Sequence, residues 1–398
     1  MRILCFIDSL GSGGAQRQLV TLATGLKKRG HLIRFLVYHR EDHFLPLLQA
    51  AGIPCEVIDP CSYLRRLQAV RRILRQGWQD VVLAFLEASC LYAELASIPR
   101  PKWGLVAGER LAHPAIGRGA KSWLRQFHRV ADAIVCNSYT NQLALGAAFP
   151  CLRRQLCAIY NTVDLEHFRL SPESSRATRR DGEEPFRIVV VANYHEKKNM
   201  LNVAKALLLL KNQQNKPSVV MDWFGTVQPD ASPFERARQF VSGNGLGEWL
   251  RLHEATMDTA GEYSRADAVG LFSFYEGLPN VVCEGMACGK PILMSNVCDA
   301  GNLVRDGRNG FLCDPGSPED IAAKIHCMAA MGVSDRRRMG LESRGLAERL
   351  FAEDTVVERY ECILTRSARH EPIPADCSWP TEIPPSALMT VARWAGEA

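Results

Sequence analysis

The sequence predicts an α/β protein with two domains, each built on a parallel sheet flanked by helices. Its 398 residues exceed what one hydrophobic core usually supports. Short apolar runs alternate with longer segments of helical periodicity, which is the pattern of parallel strands connected by helices. A polar stretch without periodicity interrupts this alternation, so one domain ends there and another begins.

The alternation also predicts where the domains begin and end. We expect a first domain at 1–170, a linker at 171–185 and a second domain at 186–346. A last helix is expected at 347–368 and an irregular, Pro-rich tail at 369–398. The candidate strands are 3–7, 33–38, 81–86, 104–107 and 133–136 in the first domain, and 187–192, 219–224, 268–272 and 291–294 in the second.

The bulk composition is that of a globular protein and excludes several classes. No apolar run approaches the roughly 20 residues that span a bilayer, and the N-terminal apolar run is too short for a secretory signal. The 14 cysteines show neither C-x-x-C pairs nor zinc-ligand spacing. Buried thiols in a reducing cytoplasm are therefore expected, without a bound metal.

The charge is unevenly distributed along the chain. Residues 1–170 contain 22 Lys and Arg against 12 Asp and Glu. Such a basic half favours an anionic membrane surface, an anionic acceptor or nucleic acid, although a merely solvated basic surface explains it equally well. Because no aromatic and basic interleaving typical of nucleic-acid readers is present, we expect no nucleic-acid partner.

A first glycine cluster, Gly11-Ser-Gly-Gly-Ala-Gln16, follows the first candidate strand and opens a helix. Backbone N–H groups at Gly13 and Gly14 could approach an anionic ligand closely. Gln16 stands where a dinucleotide fingerprint needs its third glycine, and no Gly-Lys-Ser/Thr follows as in a P-loop. The alternative is a tight turn that contacts no ligand.

A second cluster, residues 273–291, carries two carboxylates at the end of a strand and the start of a helix. Glu276 lies in the loop, where it can accept hydrogen bonds from sugar hydroxyls, and Glu284 lies about one turn inside the helix, where it can accept both hydroxyls of a ribose. Amide groups at the helix start would meet a diphosphate. The alternative is two exposed acids that favour the helix dipole. The residues expected to meet this diphosphate and ribose are Gly277, Leu278, Pro279, Asn280 and Glu284.

The second cluster resembles the E-x7-E signature of the family 4 glycosyltransferases, including its E-G-L-P-N-V loop; Gly285 replaces the usual alanine. Three further elements resemble the family in the same order along the chain. These are Gly13-Gly-Ala15 in the glycine loop, Asp132-Ala-Ile-Val-Cys-Asn-Ser138, and Ile159-Tyr-Asn-Thr-Val-Asp164.

The resemblance implies a GT-B fold, with two Rossmann-like domains facing each other across a cleft. It further implies a UDP- or GDP-linked sugar as donor substrate, held mainly by the second domain, retention of anomeric configuration, and neither metal nor cofactor. Family members commonly hold the donor diphosphate with an Arg and a Lys. Lys198 matches the lysine, and we count it with Glu276 as catalytic. Asn193 replaces the arginine, and His195 or Lys197 could supply part of the missing charge.

Acceptor-side candidates follow the strand at 104–107. Glu109, Arg110 and His113 lie where the family often has residues facing the cleft, although solvated loop residues are an equal alternative.

The sequence thus predicts transfer of a hexosyl or N-acetylhexosaminyl group to a hydroxyl of a glycan or lipid-linked glycan, in cell-surface polysaccharide synthesis. The enzyme would be cytoplasmic, with peripheral contact to an anionic membrane. The alternatives are a GT-B epimerase or phosphorylase, and a binding subunit with weakened catalysis.

Overall fold

The computed structural model describes residues 1–58, 62–110, 113–117, 122–170, 184–374 and 376–396. The expected linker at 171–185 falls almost entirely outside the described residues. The chain divides into two compact units. The first unit consists of Met1–Thr162, Leu350–Ile383 and Thr390–Ala398, and the second unit consists of Val163–Arg349 and Pro384–Met389.

Each unit contains one fully parallel sheet, which confirms the predicted fold class. The strand order is β3-β2-β1-β4-β5-β6-β7 in the first unit and β10-β9-β8-β11-β12-β13 in the second. Both orders reverse at an internal strand pair, and ligands of such sheets bind beyond the carboxyl ends of the strands at that reversal. The strands are β1 Arg2–Phe6, β2 Leu32–Val37, β3 Cys55–Val57, β4 Val81–Phe85, β5 Gly104–Glu109, β6 Ala133–Cys136, β7 Leu156–Ala158, β8 Phe186–Val191, β9 Val219–Phe224, β10 Leu250–His253, β11 Ala268–Leu271, β12 Ile292–Ser295 and β13 Gly310–Cys313.

Helices connect the strands, because neighbouring parallel strands need a crossover connection between them. In the part of the chain that the structure describes, 3₁₀ helices at Ser122–Val130, Pro150–Leu152 and Glu196–Lys198 complete the connections. The α-helices are α1 Gly14–Lys28, α2 Leu45–Ala50, α3 Tyr63–Arg75, α4 Glu87–Ala96, α5 Tyr139–Ala148, α6 Met200–Lys211, α7 Ser232–Gly243, α8 Thr259–Arg265, α9 Asn280–Ala287, α10 Ala300–Leu303, α11 Pro318–Ala329, α12 Val333–Phe351, α13 Glu353–Ala368 and α14 Pro385–Gly396.

The first sheet is buried on both faces, which is why its strands read as continuous apolar runs. One face is covered partly by α13, whose Val357, Ile363 and Leu364 belong to the same buried cluster as β1 and β4. The backbones of α13 and β5 approach each other closely, because a Cβ on Gly104 would lie only 2.1 Å from the Ser367 carbonyl oxygen. Helix α13 therefore completes the core of the first unit, although it lies far from that unit's strands in the sequence.

The C-terminal segments differ from expectation in two respects. The helix expected at 347–368 is divided, because the extended backbone of Ala352, at φ −55° and ψ 131°, separates α12 from α13. The tail expected to be irregular contains α14. Ala387, Thr390 and Trp394 form a buried stripe at helical spacing there, which the prolines before it obscure in the sequence.

In the described ranges, no helix has the length and apolar character needed to cross a bilayer. The cysteines of these ranges are unpaired, and most are buried. Burial raises the pKa of Cys288 and Cys313 to about 12, so these thiols stay protonated and unreactive at neutral pH.

Candidate active site

The loop between β11 and α9 brings the second glutamate motif to the carboxyl edge of the second sheet. Pro279 is the N-cap of α9, with φ −79° and ψ 95°, and its carbonyl accepts hydrogen bonds from the amides of Val282 (3.0 Å) and Cys283 (3.2 Å). Pro279 thus directly precedes the first turn of α9. Glu284 is the fifth residue of α9, just over one turn inside, as the motif spacing predicts.

A second loop, between β8 and α6, lies against the first. Phe274 donates its amide to the Lys197 carbonyl at 2.9 Å, which joins the two loops. Asn199 ends the 3₁₀ helix Glu196–Lys198 in the left-handed conformation, at φ 66°, and its side-chain amide donates to the Pro315 carbonyl at 2.7 Å. This turn directs the Lys198 side chain towards Glu276.

Lys198 and Glu276 form an ion pair at the point where the two loops meet. The Lys198 ammonium donates to Glu276 Oε1, and Ser273 Oγ donates to the same oxygen at 2.7 Å. The two charged side chains are only 16% and 14% exposed. Glu276 Oε2 has no partner among the described residues, so this oxygen is left to accept a ligand hydroxyl.

Cys298 fixes the backbone of Glu276. Its Sγ accepts the Glu276 amide at 3.3 Å. Cys298 is buried and adopts the left-handed conformation at φ 53°, which a residue with a side chain rarely adopts. Backbone in this rarely adopted conformation is often found at active sites, so its position beside Glu276 supports this region as the candidate site.

Glu284 differs from Glu276 in its surroundings. Its side chain belongs to the buried polar residues, at 5% exposure. The next residue, Gly285, packs against β11, because a Cβ there would lie 2.9 Å from the Cβ and both Cγ atoms of Val269. The replacement of the usual alanine by Gly285 therefore lets α9 approach the sheet closely.

The two polar residues before Lys198 serve local structure. Asn193 Oδ1 accepts the Thr226 amide at 3.3 Å. His195 Nδ1 accepts the Lys197 amide at 3.1 Å and so caps the short 3₁₀ helix. Because an amide can only donate, Nδ1 carries no proton in this arrangement.

A buried charge network at β8, β9 and β10 was not predicted from the sequence. Asp222 Oδ1 bonds His253 Nε2 at 2.8 Å, and Asp222 Oδ2 accepts from Arg187 at 2.5 Å. Burial alone would raise the pKa of Asp222, but the hydrogen bonds from His253 and Arg187 lower it. His253 also stacks on Phe224, with centroids 4.6 Å apart. The only available signal was one aspartate inside the apolar run of β9.

The glycine loop of the first unit opens α1, as expected. Gly13 is the N-cap, with φ −73° and ψ 156°, and Gly14 is the first helical residue. Gln16 turns back over the loop and donates to Asp8 Oδ1 at 2.9 Å. A Cβ on Gly13 would lie 2.1 Å from Gln16 Oε1, so the glycine makes room for this side chain.

The acceptor-side candidate Glu109 is buried rather than exposed. Its Oε1 bonds His128 Nε2 at 2.8 Å and accepts from Arg125 at 3.3 Å, while His128 Nδ1 bonds Glu94. Burial opposes ionisation of both groups. However, the hydrogen bonds and charges of the carboxylates raise the pKa of His128 to about 10, and those of His128 and Arg125 lower the pKa of Glu109.

The other two acceptor-side candidates differ from each other. Arg110 lies over the Phe85 ring, 3.7 Å from its centroid, and donates to Tyr360 Oη at 2.5 Å, which ties β5 to α13. His113 is exposed, and its Nδ1 accepts the Ala115 amide at 3.0 Å. Of the three candidates, His113 is the one the structure leaves at the surface.

Comparison with known proteins agrees with this architecture. A model described as Glycosyltransferase Family 4 matches residues 12–167, and a model described as Glycosyl transferases group 1 matches residues 185–330. Anabaena HepE in complex with UDP and glucose superposes with a TM-score of 0.77 at 22% identity, covering 92% of this chain and 99% of that chain. This likeness shows the GT-B fold.

Curated relatives match over different shares of their length. A glycosyltransferase of Methanocaldococcus jannaschii without assigned activity is 32% identical over 97 residues, which are 24% of this chain and 28% of that protein. Two D-inositol 3-phosphate glycosyltransferases match over 37% and 46% of their length, so the chain spans less than half of these relatives. An alpha-1,4-N-acetyl-D-galactosaminyltransferase of Campylobacter jejuni is 24% identical over 79% of this chain and 85% of that protein. The chain belongs to the family 4 glycosyltransferases.

Proposed function

We propose that the chain transfers a hexosyl or N-acetylhexosaminyl group, with retention, from a UDP- or GDP-sugar to a hydroxyl of a glycan or lipid-linked glycan. The observation that carries the proposal is the Lys198–Glu276 pair beside the start of α9. Two relatives support the substrate classes. HepE was crystallised with UDP and glucose, and the Campylobacter enzyme is named for an undecaprenol-diphosphate-linked glycan. Such an enzyme would serve cell-surface polysaccharide synthesis.

Lys198 and the start of α9 would hold the donor diphosphate. An ammonium has three N–H donors, and the bond to Glu276 uses one, so two remain for phosphate oxygens. The helix N-terminus adds a positive dipole end that favours the developing charge of the leaving group. These groups would let the diphosphate depart without a metal or cofactor.

Glu276 and Glu284 would hold the two sugars of the donor. Glu276 Oε2 would accept a hydroxyl of the transferred sugar, while Oε1 stays fixed by Ser273 and Lys198. Glu284, on α9, would accept the vicinal hydroxyls of the ribose. The donor would then be fixed at its sugar, diphosphate and ribose by groups from two loops and one helix.

The reaction would proceed on the face of the sugar that the diphosphate leaves. The acceptor oxygen forms a bond to the anomeric carbon as the bond from that carbon to the phosphate oxygen breaks. The acceptor proton passes to an oxygen of the departing diphosphate. No side chain needs to act as nucleophile, so positioning and charge supply the catalysis.

Donor binding to the Glu284→Ala variant tests the ribose assignment. We expect the donor dissociation constant to rise at least about tenfold, the effect of losing charged hydrogen bonds to two hydroxyls. Calorimetry with UDP and GDP, which contain the ribose of the donor, measures the change in dissociation constant. The matched control is Glu248→Ala, because the Glu248 side chain is 92% exposed. Unchanged binding in Glu284→Ala would refute the assignment.

Acceptor dependence tests the reaction class. A transferase should release UDP or GDP only when an acceptor hydroxyl is present, whereas an epimerase consumes donor without one and a phosphorylase requires phosphate. Turnover should persist in a chelator if no metal takes part. Loss of turnover in the chelator, restored by a divalent cation, would overturn the metal-free part of the proposal.

Asn193 favours one other candidate function, a binding subunit with weakened catalysis. Its neutral amide stands where the family commonly has an arginine, and it is used to bind the Thr226 amide. Such a subunit would fold normally but bind nucleoside diphosphate weakly or not at all. Absence of calorimetric binding of both UDP and GDP to the purified protein would favour this candidate over the transferase.

A further inference from the structure

Two buried cysteines of the first unit lie next to each other, although they are 220 positions apart in the sequence. Cys157 lies in β7 and is fully buried, and Cys377 lies in the segment after α13 and is 7% exposed. Both belong to the buried cluster that α13 covers, and the Cys157 thiol donates a hydrogen bond to the Cys377 sulfur. The proposed transfer reaction uses neither thiol.

Backbone pairing holds the two cysteines together. Trp379 donates its amide to the Ala158 carbonyl at 2.7 Å and pairs with Ile159 in a parallel bridge. Cys157 and Cys377 each lie two residues before this bridge, on the two segments that it joins. Neighbouring parallel strands lie about 4.8 Å apart, and a disulfide joins Cα atoms about 4.4–6.8 Å apart. The pairing therefore holds the cysteines close to the separation that a disulfide needs.

The other cysteines of the same sheet are badly placed to pair with Cys157. Cys136 lies on the neighbouring strand β6, but its side chain belongs to the buried cluster on the opposite face of the sheet. Cys5 shares the face of Cys157 but lies on β1, which is four strands from β7 and thus about 19 Å away. Cys377 is therefore the partner that the fold presents to Cys157.

The hydrogen bond gives the two thiols different reactivities. The bond from Cys157 lowers the pKa of the Cys377 thiol, whereas the same bond and burial raise the pKa of Cys157. The thiolate is the form of cysteine that attacks oxidants. Cys377 is also the more exposed of the two residues, so it should react first, with Cys157 as the thiol that resolves the product.

We propose that Cys157 and Cys377 form a reversible disulfide when the chain meets a peroxide, and that this bond fixes the C-terminal segment to β7. Strand β7 is the edge strand of the first sheet, so the segment around Trp379 is what continues the sheet beyond it. The proposal concerns the first unit alone and does not depend on the proposed function.

The oxidation consists of two displacements. The Cys377 thiolate attacks one oxygen of hydrogen peroxide and the O–O bond breaks, which leaves a sulfenic acid on Cys377 and a hydroxide that takes up the proton released by this thiol. The Cys157 sulfur then attacks the Cys377 sulfur. The S–O bond breaks, the S–S bond forms, and the hydroxyl leaves as water with the Cys157 proton. The two thiols lose two electrons, the peroxide gains them, and a dithiol reductant reverses the bond by exchange.

Mass spectrometry of the full chain after treatment with hydrogen peroxide tests the proposal. The remaining thiols are alkylated, and the chain is digested with trypsin in the absence of reductant. Cleavage after lysine and arginine yields peptides 155–169 and 370–393, each of which contains a single cysteine. We expect these two peptides to be linked to each other and to separate when dithiothreitol is added.

Thermal unfolding tests whether the bond fixes the C-terminal segment. The disulfide closes a long loop, so the oxidised chain should have a Tm at least about 5 °C above that of the reduced chain. Cys377→Ser should abolish both the linked peptides and this shift, and its reduced form should unfold near the Tm of the reduced wild type. The matched control is Cys362→Ser, because Cys362 is exposed on α13 in the same unit. This control should keep both effects.

Three results would overturn the disulfide. They are the absence of the linked peptides at a peroxide excess that oxidises the exposed Cys151, a link from Cys157 to another cysteine, and an equal yield of the link from chain oxidised in guanidinium. Linked peptides without a change in Tm would reject the fixing of the C-terminal segment. No nucleotide sugar enters these measurements, so their outcome is separate from that of the proposed function.

Discussion

The contact between Gly285 on α9 and Val269 on β11 gives a quantitative prediction. A Cβ at position 285 would lie 2.9 Å from three Val269 atoms, short of the 3.4 Å at which ordinary contact begins. Gly285→Ala must therefore move α9 away from the sheet by about half an ångström or force Val269 from its rotamer. Because Glu284 is the adjacent residue, the movement would also displace the proposed ribose ligand.

The expected stability change follows from two opposing terms. Overpacking a core by one methyl group costs about 1–3 kcal/mol, whereas alanine in a helix interior gains about 1 kcal/mol over glycine. We expect Gly285→Ala to destabilise the second unit by about 1 kcal/mol, which lowers its Tm by about 2–4 °C. The matched control is Gly345→Ala in α12, where a Cβ would meet no atom within 4 Å. That variant should be stabilised by about 0.5–1 kcal/mol.

Thermal unfolding of both variants, with calorimetry of donor binding, measures these effects. Val269→Ala in the Gly285→Ala background should restore part of the loss, because it removes two of the three crowded atoms. A double-mutant cycle should therefore show favourable coupling between the two positions. If Gly285→Ala is stabilised as much as Gly345→Ala, α9 does not pack against β11 as closely as the structure indicates.

Two further predictions concern single contacts. Cys298→Gly relieves about 1–2 kcal/mol of left-handed backbone strain but removes the acceptor of the Glu276 amide, so kcat should fall about tenfold while KM for donor changes little. Cys298→Ser should retain activity. A kcat in Cys298→Gly equal to that of the wild type would reject a positioning role for Cys298. Glu94→Gln should lower the pKa of His128 from its value of about 10, which NMR titration of the imidazole measures. Because that pKa lies above the ordinary value near 6.5, the stabilisation is complete below about pH 6.5 and is lost towards about pH 10. In Glu94→Gln the unfolding free energy should therefore fall less steeply as the pH rises from about 6.5 to about 10. An unchanged slope of unfolding free energy against pH would contradict this prediction.

The parts predicted from sequence are those set by local patterns. Buried parallel strands are continuous apolar runs, and the two glutamates of the second cluster are close in sequence, so their placement on a loop and a helix follows from spacing alone. The short strands β3 and β7, of three residues each, carry too little pattern to be recognised. The burial of Glu109 could not be predicted from the sequence, because only the fold brings its partner His128 next to it.

The same reasoning explains why Asp222 was missed. Its partners Arg187 and His253 are 35 and 31 residues away, on neighbouring strands. A sequence shows a charged residue inside an apolar run but not the charge that neutralises it. A buried carboxylate without partners would be costly, so an aspartate in the centre of β9 could have signalled a network without identifying its members.

The distribution of positive charge around the proposed diphosphate site follows from these contacts. Asn193 is neutral, and His195 uses Nδ1 as a cap acceptor. The Lys197 ammonium lies 5.8 Å from the Tyr275 ring centroid, while the Lys197 carbonyl holds the opposite loop. Lys198 is then the cation whose side chain is fixed at the junction of the loops. The Glu276 carboxylate orients this lysine and also offsets its positive charge. The donor phosphates would therefore depend on the two remaining N–H groups of Lys198, together with the start of α9, for electrostatic stabilisation.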